Sequence, residues 1–136
     1  MQVRKLPNGD KYVGHLGPSG FVNGEYTFDN NDFYVGSFSN GQKHGLGTYF
    51  YRSTGEKYEG DWVNDLWDGK GTYSVGNPPE VIIKGTWSKG LMNGPAEVIH
   101  RNGDRFVGQY RNNRKYGKGI LYYQSGSILE AEYIDD

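Results

Sequence analysis

The chain has 136 residues and no cysteine. That removes a disulfide framework, a cysteine-ligated metal and a thiol nucleophile together. Long apolar runs are also missing: the longest aliphatic run is Val81-Ile82-Ile83, far short of the roughly 20 residues that a spanning helix needs. The N-terminal segment holds no apolar signal core, and no Asn-x-Ser/Thr sequon occurs anywhere. An excess of one charge is absent as well. The 15 Lys and Arg face 16 Asp and Glu for a net charge of -1, so the basic footprint of a nucleic-acid-binding domain is missing. Proline is scarce, at 5 residues. These absences predict a reducing, cytoplasmic compartment, with no transmembrane segment and no nucleic-acid partner.

Glycine and aromatic residues are abundant: 22 Gly, 12 Tyr, 6 Phe and 3 Trp. Disordered chains are poor in aromatics, so this composition points to many tight turns with packed rings, and hence to β-structure. The rings and glycines recur together. Aromatic-x-Gly-x-aromatic reads at Tyr34-Val35-Gly36-Ser37-Phe38, Tyr58-Glu59-Gly60-Asp61-Trp62 and Phe106-Val107-Gly108-Gln109-Tyr110. Looser copies are Tyr12-Val13-Gly14-His15-Leu16, Ile83-Lys84-Gly85-Thr86-Trp87 and Leu129-Glu130-Ala131-Glu132-Tyr133. The central positions, 14, 36, 60, 85, 108 and 131, fall at a nearly constant interval, the signature of a repeat architecture.

A polar loop follows each copy, then a small-x-small pair: Gly45/Gly47, Gly69/Gly71, Gly94/Ala96 and Gly117/Gly119, with Gly24 alone in the first unit. Strand-like residues and a turn such as Asn30-Asn31-Asp32 or Asn102-Gly103-Asp104 complete the unit. No interval is long enough for a globular helix. The prediction is an all-β, elongated, single-layer antiparallel meander of about eleven short strands.

Side chains alternate faces along a strand, so Tyr58, Gly60 and Trp62 share one. Folding 45–51 onto 56–62 sets Tyr51 opposite Tyr58, Tyr49 opposite Gly60 and Gly47 opposite Trp62. Folding 34–38 onto 45–49 sets Tyr34 opposite Tyr49, Gly36 opposite Gly47 and Phe38 opposite Gly45. Either register lays large rings beside bare glycine backbone, the arrangement known in sheets as aromatic rescue. Glycine on one face also lets the sheet bend toward that face. Glycine pairs that lead into tyrosine-rich strands, rather than into a helix N-terminus, do not make a phosphate-binding loop.

The pattern resembles the MORN (membrane occupation and recognition nexus) repeat over residues 8 to 133. Asn40-Gly41-Gln42-Lys43-His44-Gly45-Leu46-Gly47 is the nearest copy. Departures are Ile83 where tyrosine is usual, Pro95-Ala96 where Lys-Gly is usual, and the irregular 76–81 loop. The resemblance implies one domain, 1–136, of about five stacked hairpin repeats forming a curved half-pipe, incomplete at both ends. It implies no catalytic residues and no cofactor. It implies a scaffold that holds a protein partner, as part of a larger complex, with ciliary axonemal, radial-spoke and cytoskeletal proteins among the relatives. Pro7-Asn8-Gly9-Asp10 and the stretch from Gly85 to His100 resemble radial-spoke-head proteins most.

The candidate contacts for a partner in the concave groove are Tyr12, Tyr34, Phe38, Tyr49, Tyr58, Trp62, Tyr73, Trp87, Phe106, Tyr110 and Tyr122. The alternative is a peripheral membrane module binding anionic lipid through Arg111, Arg114, Lys115 and Lys118, with Arg101 and Arg105 upstream. Membrane contact stands second to a protein partner because acidic residues are interspersed throughout. The three histidines, His15, His44 and His100, fall in no triad or metal-ligand spacing. The acidic end, Glu130, Glu132, Asp135 and Asp136, is expected to discourage strand pairing at the sheet edge.

Overall fold

A computed structural model describes residues 1–134; Asp135 and Asp136 of the acidic end lie outside the described residues. The described chain contains no helix. Its strands are β1 (Gln2–Lys5), β2 (Lys11–Gly17), β3 (Gly20–Thr27), β4 (Phe33–Ser39), β5 (Gln42–Tyr51), β6 (Glu56–Val63), β7 (Leu66–Val75), β8 (Val81–Ser88), β9 (Leu91–Met92), β10 (Gly94–His100), β11 (Arg105–Arg111), β12 (Arg114–Tyr122) and β13 (Ile128–Tyr133). They form one open antiparallel sheet of 13 strands in chain order, except that the two-residue β9 pairs only with β8. Beyond the eleven strands of the repeats lie β1, the strand expected of the incomplete repeat at residues 1–6, and the short β9, which was not expected.

One line of small residues crosses the sheet. Gly14 pairs with Gly24, Gly24 with Gly36, Gly36 with Gly47, Gly47 with Gly60, Gly60 with Gly71 and Gly71 with Gly85. Ala96 pairs with Gly108, and Gly119 with Ala131. Beside it runs a line of large residues: Tyr12, Tyr26, Tyr34, Tyr49, Tyr58, Tyr73 and Ile83 are successive partners. Tyr34 opposite Tyr49 and Gly36 opposite Gly47 match expectation. The expected register between β5 and β6 is two residues out: Tyr49 faces Tyr58, Gly47 faces Gly60 and Gly45 faces Trp62. Phe38 faces Lys43 rather than Gly45, because the register shifts between Gly36 and Phe38.

The strands bend at these glycines. In a flat strand, residues four apart are separated by roughly 13 Å, yet the Tyr58 and Trp62 ring centroids lie 5.3 Å apart and those of Tyr34 and Phe38 5.1 Å. The backbone therefore folds toward the ring-bearing face. A ring fills the angle of each bend. A Cβ on Gly71 would overlap the Tyr58 ring, and one on Gly119 would stand 2.6 Å from Phe106 Cε1. No residue larger than glycine fits there while the ring stays in place.

Turns close both ends of the hairpins. Two-residue turns with positive φ at both positions occur at Asn40-Gly41, Asn64-Asp65, Lys89-Gly90 and Asn112-Asn113, the backbone that matches the twist of paired strands. At the other end, Asn8, Asn30 and Asn102 each accept the backbone N–H two residues on through Oδ1, at 3.0, 2.9 and 2.9 Å. The acid so positioned reaches into the next unit. Asp10 accepts from Asp29 N–H (2.9 Å), Asp32 from Arg52 N–H (2.7 Å) and Asp104 from Gln124 N–H (2.9 Å).

Candidate functional site

The bends turn the ring-bearing face into a trough. Its bottom is closed by the chain itself: Tyr12, Tyr34 and Tyr58 have no exposed surface, and Trp62, Phe106 and Trp87 retain 2%, 3% and 4%. The buried phenols are satisfied across the bend. Tyr12 donates to His15 O (2.6 Å), Tyr34 to Ser37 O (2.8 Å) and Tyr58 to Asp61 O (3.1 Å). The Trp62 indole N–H donates to Gly47 O at 3.0 Å. Burial raises the hydroxyl pKa of Tyr34 and of Tyr58 above the usual phenol value. Six of the eleven candidate groove residues are thus the core of the ribbon, and the surface they bury is already taken by glycine and by other rings.

Phe38, Tyr49, Tyr73 and Tyr110 are half-buried above that layer. Tyr122 belongs to the other face. It stands opposite Arg105 and beside Leu121, which pairs with Phe106. A strand alternates faces at every residue, so Leu121 occupies the trough position and the Tyr122 ring lies under the Arg105 guanidinium, 4.4 Å away. Tyr122 as a groove contact is corrected accordingly.

An open part of the trough is a hollow of about 350 Å³ lined by Lys43, Tyr49, Tyr51, Trp62, Asp65, Leu66, Trp67 and Gly90. Trp67 stacks on Tyr58 with centroids 4.4 Å apart and an interplanar angle of 3°. Tyr51 and Tyr49 are 4.3 Å apart. The Lys43 ammonium lies 5.4 to 5.9 Å from the centroids of Phe28, Tyr34, Tyr49 and Trp62, within cation–π range. It also pairs with Asp65 Oδ1 at 3.3 Å. Asp65 fastens neighbouring turns, since its Oδ1 accepts Lys43 N–H (2.7 Å) and its own N–H donates to Lys43 O (3.0 Å). On the opposite wall, carboxylates hold tyrosine hydroxyls: Tyr26 on Asp10 (2.6 Å), Tyr49 on Asp32 (3.0 Å) and Tyr73 on Glu56 (2.5 Å). Burial first, and then the adjacent carboxylate, push the Tyr26 and Tyr73 hydroxyls up to about 12.

Tyr51, Trp67, Lys43, Asp65 and the acids of the wall were not among the sequence candidates. The recurrence of Asn-x-Asp at 8–10, 30–32 and 102–104 was the visible signal for the acids. Trp67 stands one residue beyond the Asn64-Asp65 turn, after Leu66, on the strand that returns across the ring-bearing face.

The four-cation cluster does not form one surface. Lys115 lies on the ring face, its ammonium 5.0 Å from the Phe106 centroid and 5.2 Å from that of Tyr133. The Arg111 guanidinium stacks 4.0 Å from the Tyr116 ring. Lys118 stands opposite Glu132, in a hollow it shares with Glu130. Upstream, Arg101 donates to Pro78 O (2.5 Å), and Arg105 pairs with Glu97 (2.9 Å). Among the described residues no group of three or more acids and histidines could hold a metal ion. Nor, among the described residues, is any helix long and apolar enough to cross a membrane.

An open ribbon of hairpins, bent at a glycine line and filled by the rings beside it, defines an elongated β-repeat protein. The MORN repeat family model matches residues 34–55, 58–75, 84–105 and 106–128, more than half of the chain, and the chain belongs to that family. It is 31% identical over 101 residues to Alsin of Rattus norvegicus, covering 72% of this chain and 6% of Alsin. To MORN repeat-containing protein 3 of Xenopus laevis it is 32% identical over 90 residues, covering 62% of this chain and 37% of that protein. To the inactive protein tyrosine kinase pTKL of Plasmodium falciparum it is 31% identical over 104 residues, covering 76% of this chain and 6% of that protein. The chain thus spans a small part of each of these relatives. The TCP10c domain of Drosophila melanogaster Sas-4 aligns over 97% of this chain and 98% of its own, at a TM-score of 0.28 and 16% identity, and no argument rests on it.

Proposed function

We propose that this chain is a non-catalytic scaffold module that holds a segment of a partner protein in its aromatic trough. The observation that carries the reading is the hollow at Tyr49, Tyr51, Trp62 and Trp67. Large rings stand there above a closed core, with open space over them and Leu66 still 45% exposed. Apolar surface of this kind, concave and rimmed by charge, is the usual ground for a protein segment. The fully buried rings beneath serve as a rigid floor, so the trough is formed before a partner arrives and less ordering is needed on binding. The assembly we propose is cytoskeletal, with the ciliary axoneme first. This placement rests on the radial-spoke-head resemblance at residues 7–12 and 85–100.

The test is retention of proteins from native extract, with cross-linking, on the wild-type chain and on two variants. Tyr51→Ala/Trp67→Ala opens the hollow, and Tyr122→Ala alters the other face. The expected result is a partner held by the wild type and by Tyr122→Ala and lost from the double variant. Retention indifferent to the hollow, or no protein retained, would overturn the reading. The lipid reading has less support, because Lys115 stands on the ring face apart from the others, the Lys115 and Arg111 charges lie against rings, and Lys118 is placed opposite Glu132.

A further inference from the structure

Charge and ring placement say which partner chemistry the hollow fits. Tyr51 and Glu56 are opposite each other in the sheet, so Glu56 neighbours Tyr51 beside the hollow, its carboxylate held by Tyr73 and by the Thr54 hydroxyl at 2.7 Å. Asp65 lines the other side, its side chain 44% exposed. Asp32 lies under Tyr49. One carboxylate, Asp65, lines the ring-lined space beside one ammonium, Lys43, only 16% exposed, and two more, Glu56 and Asp32, stand within charge range of the Tyr51 hydroxyl that lines it. The chain itself shows what the rings accept, since its own lysine is seated among four of them. The remaining space, over Tyr51 and Trp67, shares Tyr49 and Trp62 with that seat, and the Lys43 charge in its lining is already met by Asp65, which leaves Glu56 and Asp32 as the further charges near Tyr51.

We propose that the hollow receives a lysine or arginine side chain of the partner segment, flanked there by apolar residues, with the cation over Tyr51 and Trp67 and between Glu56 and Asp65. This rests on the scaffold reading and deepens it. A cation entering such a site gains ring attraction and carboxylate attraction together, while its apolar neighbours cover Leu66 and the ring edges. An acidic segment would meet Asp65 in the lining, with Glu56 and Asp32 near Tyr51, and be rejected.

Three synthetic amphipathic peptides that share one leucine pattern serve as probes, with lysine, glutamine or glutamate at the polar positions. Two of the three tryptophans, Trp62 and Trp67, line the hollow, so indole fluorescence reports occupancy. The lysine peptide is expected to bind saturably, about tenfold more tightly than the glutamine peptide, with the glutamate peptide weakest. Glu56→Gln and Asp65→Asn, which keep side-chain volume, are each expected to reduce lysine-peptide affinity severalfold, and Tyr122→Ala to leave it unchanged. Melting of each variant as cooperatively as wild type establishes that it is folded. Equal binding of lysine and glutamine peptides, both abolished by Tyr51→Ala, would overturn the cation assignment and leave the trough reading standing. Preference for the glutamate peptide, binding indifferent to Glu56→Gln and Asp65→Asn, or binding of none of the three would also overturn the cation assignment. Failure of the scaffold reading is read separately, from retention in extract.

Discussion

From Asp10 to Val75 every bend is filled by a tyrosine; from Val81 onward none is. Tyr12, Tyr34 and Tyr58 cover their glycines and donate across the bend. In the later units the same place holds Ile83 and Phe106. Phe106 still covers Gly108 and Gly119, but it has no hydroxyl to donate. Ile83 has no ring, and the space is taken instead by the Ala96 methyl, 3.1 Å from where a Gly85 Cβ would stand, with Met92 and Trp87 close by. The wall acids follow suit. Asp10, Asp32 and Glu56 each bind a tyrosine of the following strand. The place corresponding to those tyrosines in the last unit is Leu121. One backbone geometry is thus held in two ways, by phenols in the first half and by apolar packing in the second. What the repeat requires is a filled bend; a particular side chain is not required.

The largest expected contrast is at the glycines. Gly47→Ala places a methyl on the Tyr34 hydroxyl and should cost about 3 kcal/mol, whereas Gly85→Ala crowds the Ala96 methyl at 3.1 Å and otherwise makes ordinary contacts with Trp87 and Met92, and should cost about 1 kcal/mol or less. Urea unfolding of both variants measures the difference. Asp32→Ala strips an acceptor from both Tyr49 and the Arg52 amide and should cost about 2 kcal/mol; Asp104→Ala strips one from the Gln124 amide and should cost about half that. Thermal melts at fixed pH give the comparison. Tyr34→Phe should lose about 1 kcal/mol with the Ser37 bond, while Phe106→Tyr, which supplies a donor where the first half has one, should be neutral or stabilising.

The smallest effect at neutral pH appears only in alkali. Tyr26 and Tyr73 hold their protons up to about 12, against about 10 for an unfolded tyrosine. Their contribution is complete below pH ~10 and is lost as pH rises toward ~12, because only the unfolded chain releases those protons readily. Melting temperatures should fall across that interval, and fall less in Tyr26→Phe/Tyr73→Phe. An equal fall in both would break the link between the phenols and the first half.

Much of this was legible in residue order. The near-constant spacing of Tyr-x-Gly, the small-x-small pairs and the turn residues specify a meander, because strand period and turn chemistry are local properties. The family followed from the same motif. Register was legible only in part: the bulge between Gly36 and Phe38 shifts pairing beyond the glycine and nothing local marks it, while β5 and β6 pair without a bulge from Tyr51 and Glu56 onward, a tighter closure than the one expected. Burial was the least legible feature. A ring beside a glycine reads equally well as a groove contact or as the filler of a bend. Only the angle of the bend decides, and it placed Tyr12, Tyr34, Tyr58, Trp62, Trp87 and Phe106 beneath the surface. Tyr122 was drawn in by its type, although the alternation counted from Gly119 selects Leu121.

Proton NMR of the intact chain tests the filled bend most directly. With the Tyr58 ring against Gly71, the Gly71 Hα signals should be displaced from ordinary positions by the ring current and show cross-relaxation to the Tyr58 ring protons. Both features should vanish in Tyr58→Leu. Gly71 Hα signals at ordinary positions, with no cross-relaxation to Tyr58, would contradict the account.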